Sequence, residues 1–446
     1  MAVAGIVVSG GLSLSAWGTS ESIFNGRVAV DDYAVFFKVL ILGIAALVVL
    51  ATTDYATKLS RFRGEYYALI LTSAIGLMVM AAASDLITIY IGLELASISL
   101  YALSGFLKES RSSEASLKYL LLGATASAVL LYGMALVFGL TGETTLASIA
   151  PKIQGLSIDT DPALLVGMVM IAAGFGFKIA AVPFHMWVPD VYEGAPTPIT
   201  AYLSVASKAA GFAVLLRVFY TAFGAPVSLS TQWAGLFAVL AAVGMTLGNL
   251  AAIPQSNIKR MLGYSSIAQA GYLLVGLAAA GASSSAVFGR SGVLFFLAGY
   301  ALTNLGAFIA IIAITGKLNS DLIEDFAGMG RRAPVLAGAL TLCLISLIGM
   351  PPAVGFMGKL YIFSSAMQQG LLWLVIVAVI NSVISAYYYL RVVKVMWFNE
   401  PASPEKVSSS GPLRLALGVT CAGVLLVGVL PASVMKLAET AANMLR

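Results

Sequence analysis

Four charged residues stand out inside long apolar stretches of the sequence, namely Glu94, Lys178, Lys208 and Lys359. A charge at the centre of a bilayer costs roughly 2.5–3.5 kcal/mol on insertion scales, so each of these side chains must face water, a partner or another charge. Ionisable groups at membrane depth are candidates for proton relays. Lysine suits this chemistry because a buried ammonium can release its proton, whereas the guanidinium of arginine stays charged.

Glu94 and Lys178 carry opposite charges and are predicted to act together. Glu94 has Ser97 on its own helical face, and Lys178 stands five residues before Pro183, near the end of the first half of an interrupted helix. An opposite charge within a few Å stabilises the ionised form of both partners, so the carboxylate would tune proton release from the lysine. Two alternatives stay open. Glu94 can form an ion pair that only fixes helix packing, and Lys178 can reach the membrane surface.

Lys208 and Lys359 have neighbours that suit a hydrated lysine. Ser204 precedes Lys208 by four residues and can bond its ammonium or an intervening water. Lys359 follows the segment Gly355 to Gly358, whose glycines permit close approach of the backbone. The alternative for either lysine is a helix-capping role. Lys118, close to the start of another apolar helix, is a further candidate.

His185 and Gln269 are two possible relay residues. His185 is the single histidine of the chain, and imidazole is the side chain that titrates near neutrality without perturbation. A hydrogen-bonded structural role is the alternative for His185. Gln269 can relay a proton through water but cannot hold a charge.

The composition indicates that the elements positioning these residues are membrane helices. Of the 446 residues, 60% are hydrophobic and 10% are charged, against roughly 25% charged in soluble domains. Apolar stretches of about 20 residues match the length of a helix that crosses the hydrocarbon core. Each must be helical, because lipid offers the backbone no hydrogen-bond partner. The net charge is +5, but the Lys and Arg residues are scattered among loops and do not form one basic stripe. This distribution argues against nucleic acid as a partner.

Twelve transmembrane helices are predicted, at residues 34–54, 65–84, 86–107, 114–140, 163–189, 196–222, 233–252, 257–280, 287–315, 333–365, 371–398 and 412–434. Ahead of them, residues 1–17 form a short apolar stub, which we interpret as the remaining end of a helix. One alternating set of loops is much richer in Lys and Arg than the other. The positive-inside rule therefore predicts that the basic loops are cytoplasmic and that the C-terminus is periplasmic.

Two of these spans are interrupted at corresponding places, the first by Pro183 and Pro189 and the second by Pro351 and Pro352. Each proline removes an intrahelical hydrogen bond, which lipid tolerates only where protein or water covers the gap. Paired broken helices predict a transport site built from an internal repeat. The predicted units are N-terminal helices at 1–64, a first five-helix repeat at 65–222, a second at 233–398 and a C-terminal helix at 412–446.

No motif for a cofactor is found in the sequence. A single histidine cannot form a bis-histidine haem site, and the two cysteines, Cys343 and Cys421, lack the spacing of an iron–sulfur or zinc site. There is no phosphate-binding GxxxxGK[ST] loop. We predict that this chain holds neither a metal nor another cofactor.

Four long motifs resemble the antiporter-like subunit N family of bacterial NADH:quinone oxidoreductase, respiratory complex I. They are FKIAAVPFHMWVPDVYEGAPTPITAYLSVASK (177–208), QSNIKRMLGYSSIAQAGY (255–272), GMPPAVGFMGKLYIF (349–363) and YYYLRVVKV (387–395). The resemblance covers almost the whole chain. It implies an all-α polytopic fold of two inverted five-helix repeats with broken helices. It also implies roles: Glu94 and Lys178 as the charged pair of the first half-channel, Lys208 as the central link, Lys359 in the second half-channel, and Lys118 in a lesser role.

The resemblance further implies an inner-membrane enzyme complex. Other membrane subunits, including the other antiporter-like subunits, are the expected partners, and NADH, FMN, iron–sulfur clusters and quinone are expected in those partners. Relatives usually have fourteen helices, so this chain is expected to lack the first and most of the second. Many relatives also carry His where this chain has Gln269.

Three alternative functions stay open from the sequence. The chain can belong to a cation/proton antiporter of the multisubunit sodium-exporter type, to a ferredoxin-dependent complex of the plastid type, or to a purely structural scaffold. In sister antiporter-like subunits the position of Lys359 is often an acid, so this lysine favours subunit N. A scaffold has no need of a chain of buried lysines.

Overall fold

The computed structural model describes residues 1–59, 62–154, 161–225, 227–281, 287–401 and 406–445. Two short strands, β1 (Glu21–Ile23) and β2 (Val28–Val30), pair as an antiparallel hairpin. All other regular elements are helical: α1 (Ala2–Leu14), α2 (Asp32–Ala51), α3 (Arg63–Ala82), α4 (Leu86–Ser104), α5 (Ser110–Thr141), α6 (Leu146–Ile153), α7 (Pro162–Ile179), α8 (Trp187–Gly194), α9 (Thr197–Tyr202), α10 (Lys208–Thr221), α11 (Val227–Ala252), α12 (Ile258–Gly281), α13 (Val287–Leu318), α14 (Met329–Arg332), α15 (Pro334–Ile348), α16 (Val354–Gln368), α17 (Leu372–Phe398), α18 (Gly411–Val429) and α19 (Ala432–Ala442).

The all-α polytopic fold predicted from the sequence is confirmed. Within the described residues, 11 helices are long and apolar enough to cross a membrane. The remaining predicted span, at 333–365, consists of the two half-helices α15 and α16. The short apolar stub corresponds to α1.

The structure differs from the sequence prediction at the end of the last span and between α1 and α2. The last span ends at Val429, and Pro431 separates α18 from the additional helix α19, because proline cannot continue the backbone hydrogen bonds of a helix. The β1–β2 hairpin between α1 and α2 was not predicted, since strands of three residues are too short to show an alternating pattern. Residues 60–61 and 446 of the predicted terminal units lie outside the described residues.

The two broken helices end in the same way. After α7, Ala180 takes a left-handed conformation with φ of 64°, and after α15, Gly349 does so with φ of 93°. The next amide closes each end: Ala181 N–H donates to the Gly176 carbonyl at 2.8 Å, and Met350 N–H donates to the Ile345 carbonyl at 3.3 Å. This C-cap stops the helix at a defined residue. The unusual feature is Ala180, because the left-handed conformation costs an L-residue with a Cβ roughly 1–2 kcal/mol.

Equivalent glycines pack the first two helices of each predicted repeat. A Cβ on Gly76 of α3 would lie 2.5 Å from the amide nitrogen of Ala96 on α4, and one on Gly248 of α11 would lie 2.6 Å from that of Ala268 on α12. Such close backbone approach is how membrane helices associate through small residues. Five crossings per repeat is an odd number, so the second repeat starts on the opposite side from the first. The division at 65–222 and 233–398 stays a prediction that this packing supports.

Among the candidate membrane spans of the described residues, the most buried is the one that runs from α9 through α10. The apolar stretch of the span Thr197–Thr221 is 100% buried inside the protein, and those of the spans formed by α12 and α13 are 94% and 89% buried. Between α9 and α10 the chain makes a π-helical turn at Leu203–Ser207. Such turns in helices are frequent at functional sites, and this one ends directly before Lys208.

Candidate functional site

Three of the predicted lysines are buried at breaks in helical geometry. Lys178 is in the last turn of α7, Lys208 follows the π-helical turn, and Lys359 lies on α16 after the second break. They are 2%, 2% and 4% exposed. Within the described part of the chain, none of the three has a carboxylate within 4.0 Å.

Ser97 links Lys178 to the helix that carries Glu94. The Lys178 ammonium donates to Ser97 Oγ at 3.0 Å, and Ser97 donates to the Leu93 carbonyl at 2.6 Å. Glu94 interacts electrostatically with Lys178 but does not form a direct ion pair with it. Its Oε1 atom is buried and has no hydrogen-bond partner. The structure therefore brings Glu94 close enough to act electrostatically on Lys178, while the Ser97 hydroxyl ties Lys178 to the backbone of α4.

Lys208 bonds a backbone carbonyl and not the predicted serine. Its ammonium donates to the carbonyl of Ser266 on α12. Ser204 is already engaged, because its hydroxyl donates to the Ala201 carbonyl at 2.8 Å and accepts from the amide of Asn304 at 2.6 Å. The π-helical turn places Ser204 and Lys208 differently from a regular helix, in which residues four apart are neighbours.

The first two lysines are connected through the backbone. Ser207, which precedes Lys208, donates to the carbonyl of Lys178 at 3.4 Å. On the other side of Lys208, the hydroxyl of Ser266 lies 3.1 Å from the Tyr192 hydroxyl and 3.0 Å from the Tyr300 hydroxyl. Polar groups thus continue from Lys178 past Lys208 into the second repeat.

The side chain of Lys359, a residue of α16, places its ammonium at the carboxyl end of α15. Its ammonium donates to the carbonyls of Leu347 at 3.2 Å and Ile348 at 2.9 Å, and to Ser382 Oγ on α17 at 3.0 Å. The helix-capping alternative considered from the sequence therefore describes its contacts. The negative end of the α15 dipole stabilises the charged form of this lysine.

Gln269 joins the same carbonyl as Lys359. Its Nε2 donates to the Leu347 carbonyl at 3.0 Å, while its Oε1 is buried without a partner. His185 lies between the break and α8, half-buried, with Nδ1 buried and unpartnered. No hydrogen bond joins the His185 side chain to a lysine within the described ranges.

Lys118 lies outside this buried series. It pairs with Glu114 at 2.9 Å and with Asp190 at 2.8 Å, and its side chain is 44% exposed. Arg260 on α12 also bonds Asp190, at 2.6 Å. Burial acts to raise the pKa of Asp190, but the hydrogen bonds from Lys118 and Arg260 outweigh it and hold that pKa below its usual range. This cluster connects α5, α8 and α12 at one face of the bundle.

Two groups of buried polar residues near the candidate site were missed by the sequence reasoning. The hydroxyl residues Ser266 and Ser382 contact or border the lysines, and hydroxyls in apolar spans were the available signal. Arg217 was also missed, although it is a charge inside a predicted span. It pairs with Asp31 through bonds of 2.9 and 3.0 Å.

These contacts form a polar route through an apolar protein. Lys178 and Lys208 share one connected group of polar contacts, and Lys359 lies in a second group formed by α15, α17 and Gln269. Buried lysines that can be neutral or charged are suited to taking up and releasing protons. Among the described residues, no cluster of three or more His, Cys, Asp or Glu side chains could hold a metal ion.

Comparison with known proteins decides the family. A family described as "NADH:quinone oxidoreductase/Mrp antiporter, TM" matches residues 83–385. NADH-quinone oxidoreductase subunit N of Dehalococcoides mccartyi is 51% identical over 429 residues, which are 95% of this chain and 88% of the relative. The chain belongs to the subunit N family of NADH-quinone oxidoreductases.

Solved structures agree with this membership. A chain of respiratory complex I from Thermus thermophilus superposes with a TM-score of 0.81 at 33% identity, covering 98% of this chain and 93% of that one. A chain of the Mrp complex from Dietzia has a TM-score of 0.87 at 18% identity, covering 99% and 91%. At that identity the second likeness shows the antiporter fold alone. Like its relatives, this chain is a multi-pass membrane subunit of a respiratory complex with further membrane subunits.

Proposed function

We propose that this subunit moves protons across the membrane along Glu94, Lys178, Lys208 and Lys359. The observation that carries the proposal is the burial of three lysines, each 2–4% exposed, without an acid within 4.0 Å among the described residues. A buried ammonium that no carboxylate neutralises is only marginally favoured over its neutral form. Each lysine can therefore exchange a proton with its neighbours at a modest free-energy cost.

The energy for this transfer comes from electron flow to quinone in neighbouring subunits of NADH:quinone oxidoreductase. NADH, FMN and iron–sulfur clusters belong to those subunits, and this chain holds no redox centre. The purified subunit should therefore be colourless, and a stoichiometric flavin, haem or iron–sulfur absorption spectrum would contradict this assignment.

Three further residues have supporting parts in the proposed route. Gln269 hydrogen-bonds the carbonyl that Lys359 also contacts, so it orders that end of the route without carrying charge. His185 has a buried Nδ1 without a hydrogen-bond partner among the described residues, which leaves it free to bond a group that moves along the route. Lys118, held by two acids, organises the charged face. We propose that this face is cytoplasmic, with the other basic loops, and that the C-terminus is periplasmic.

The test separates proton exchange from mere positive charge. Lys208→Arg and Lys359→Arg keep the charge but abolish an accessible neutral form, and the Lys→Met variants remove both. We expect all four to lose coupled proton translocation in sealed vesicles while the complex assembles. Lys317→Met, at an exposed end of α13, is the matched control and should pump normally. If Lys359→Arg pumped as well as the wild type, the carrier role would be wrong.

Cation/proton antiport, the alternative that the sequence left open, is not favoured, because the relatives are named NADH-quinone oxidoreductase subunit N. The fold shared with an Mrp complex subunit is compatible with it, but Lys359 stands where sister subunits often carry an acid. Sodium transport by the reconstituted complex, measured with and without a proton ionophore, distinguishes antiport from proton pumping. We expect proton movement that does not depend on sodium.

A further inference from the structure

Among the described residues, the groups that contact the Lys359 ammonium are electron-rich and neutral. Its three ammonium hydrogens meet two carbonyls of α15 and the hydroxyl of Ser382. Its nitrogen also lies 4.1 Å from the centroid of the Tyr272 ring on α12. An ammonium over an aromatic face is attracted by the ring quadrupole, and most strongly where water is excluded. Lys178 differs, because Glu94 acts on it electrostatically.

The Tyr272 ring is held in place by hydrogen bonds to its hydroxyl group. Tyr272 is fully buried, and its hydroxyl accepts from Asn249 Nδ2 at 3.3 Å and from Ser382 at 3.4 Å. Asn249 is held in turn by Asn381, whose carbonyl and Oδ1 accept at 3.1 and 3.2 Å, and by Tyr388, which donates to its Oδ1 at 2.9 Å. Residues of two helices, α11 and α17, thus hold the face of one ring toward the ammonium.

We infer that Tyr272 is a positioning residue that sets how tightly Lys359 holds its proton. The inference rests on the proposed proton-carrying role of Lys359. The ring face stabilises an ammonium but repels the lone pair of a neutral amine. It therefore favours the protonated form of Lys359 over the neutral form. In this way an aromatic ring supplies at Lys359 what Glu94 supplies at Lys178.

The surroundings of Lys359 make the effect of Tyr272 separable. From α12 the titratable neighbour is the phenol of Tyr272, and α15 and α17 contribute carbonyls and a hydroxyl. From α13, Phe296 packs at Gly358 beside the lysine. The next titratable group along the hydrogen bonds is Tyr388. In the described residues no carboxylate lies within 4.0 Å of Lys359, so no acid competes with the ring.

The test compares two substitutions in the whole complex reconstituted in proteoliposomes. Tyr272→Phe keeps the ring and removes the hydroxyl, whereas Tyr272→Leu removes the ring. We expect the alkaline limb of the pH profile for proton translocation to move to lower pH by about one unit in Tyr272→Leu. Tyr272→Phe should move it much less. Phe363→Leu, which alters packing against the same ring at a centroid distance of 6.2 Å, is the control and should leave the limb in place.

Ring fluorination supplies a second measurement that does not depend on how well Tyr272→Leu folds. Replacement of Tyr272 by phenylalanines with increasing numbers of ring fluorines weakens the negative face with little change in shape. The alkaline limb should then move stepwise to lower pH. An unmoved limb in this series, or in an assembled Tyr272→Leu complex, overturns the inference, as does an equal shift in Tyr272→Phe and Tyr272→Leu. If Lys359→Met itself pumps normally, the proposed function fails instead.

Discussion

The buried pair of Asp31 and Arg217 gives a quantitative test of how the central helix is anchored. Arg217 on α10 donates to both carboxylate oxygens of Asp31 at 2.9 and 3.0 Å, and the two side chains are 7% and 11% exposed. Asp31 also caps α2 by accepting from the Ala34 amide at 2.7 Å. Its carboxylate therefore supports two helices, and α10 is the helix on which Lys208 stands.

The expected losses follow from these contacts. Arg217→Leu leaves a buried carboxylate unpaired, at a cost of about 3–5 kcal/mol in the free energy of unfolding. Asp31→Asn leaves an unpaired guanidinium at a similar cost but keeps an N-cap, since Asn caps helices as well as Asp. Asp31→Ala loses the cap as well, which adds about 1 kcal/mol. The double variant Asp31→Asn with Arg217→Leu should cost less than the sum of its parts by about 2 kcal/mol.

Reversible unfolding of the purified subunit in mixed micelles measures these four values. Proton translocation by the assembled complexes shows whether the anchor matters for Lys208. We expect reduced coupling in Arg217→Leu, because α10 loses its ion pair with the start of α2 and, among the described residues, keeps only the hydrogen bond from the Tyr33 hydroxyl to the Ala213 carbonyl. Strictly additive losses, or equal stability of Asp31→Asn and Asp31→Ala, would refute the reasoning.

Three further predictions concern the first half-channel and the second break. Ser97→Ala should remove the hydroxyl that Lys178 bonds at 3.0 Å, a charged hydrogen bond of about 1.5–3 kcal/mol, and so lower coupled turnover, whereas Ser97→Thr should keep it; equal turnover in both would contradict the bridge. Glu94→Gln combined with Lys178→Met should lower the protons moved per quinone reduced little more than Lys178→Met alone, as residues acting on one step are not additive. Gly355→Ala should impair assembly on native gels, because its Cβ would lie 1.9 Å from the Ser346 carbonyl; normal assembly would mean that this close approach is not required.

The sequence alone determined the membrane class, the approximate number of crossings and four of the charged residues inside the spans. These follow from local properties: about 20 apolar residues are needed for a span, and any charge within one is conspicuous. The positions of both breaks were also readable, since Pro183 and Pro351 disrupt helices wherever they occur. The long motifs, such as the one ending at Lys208, predicted the family that the comparisons then showed.

The tertiary structure alone decided which polar groups meet. Ser97 reaches Lys178, and Tyr272 reaches Lys359, across helices that are distant in the sequence. The π-helical turn before Lys208 depends on packing between fully buried helices, and no local propensity in Leu203–Ser207 marks it. Inside an apolar bundle a hydrogen bond forms with whichever group the helix packing presents, because no water competes for it. Contacts of this kind are set by the register between helices, which is a property of the assembled fold.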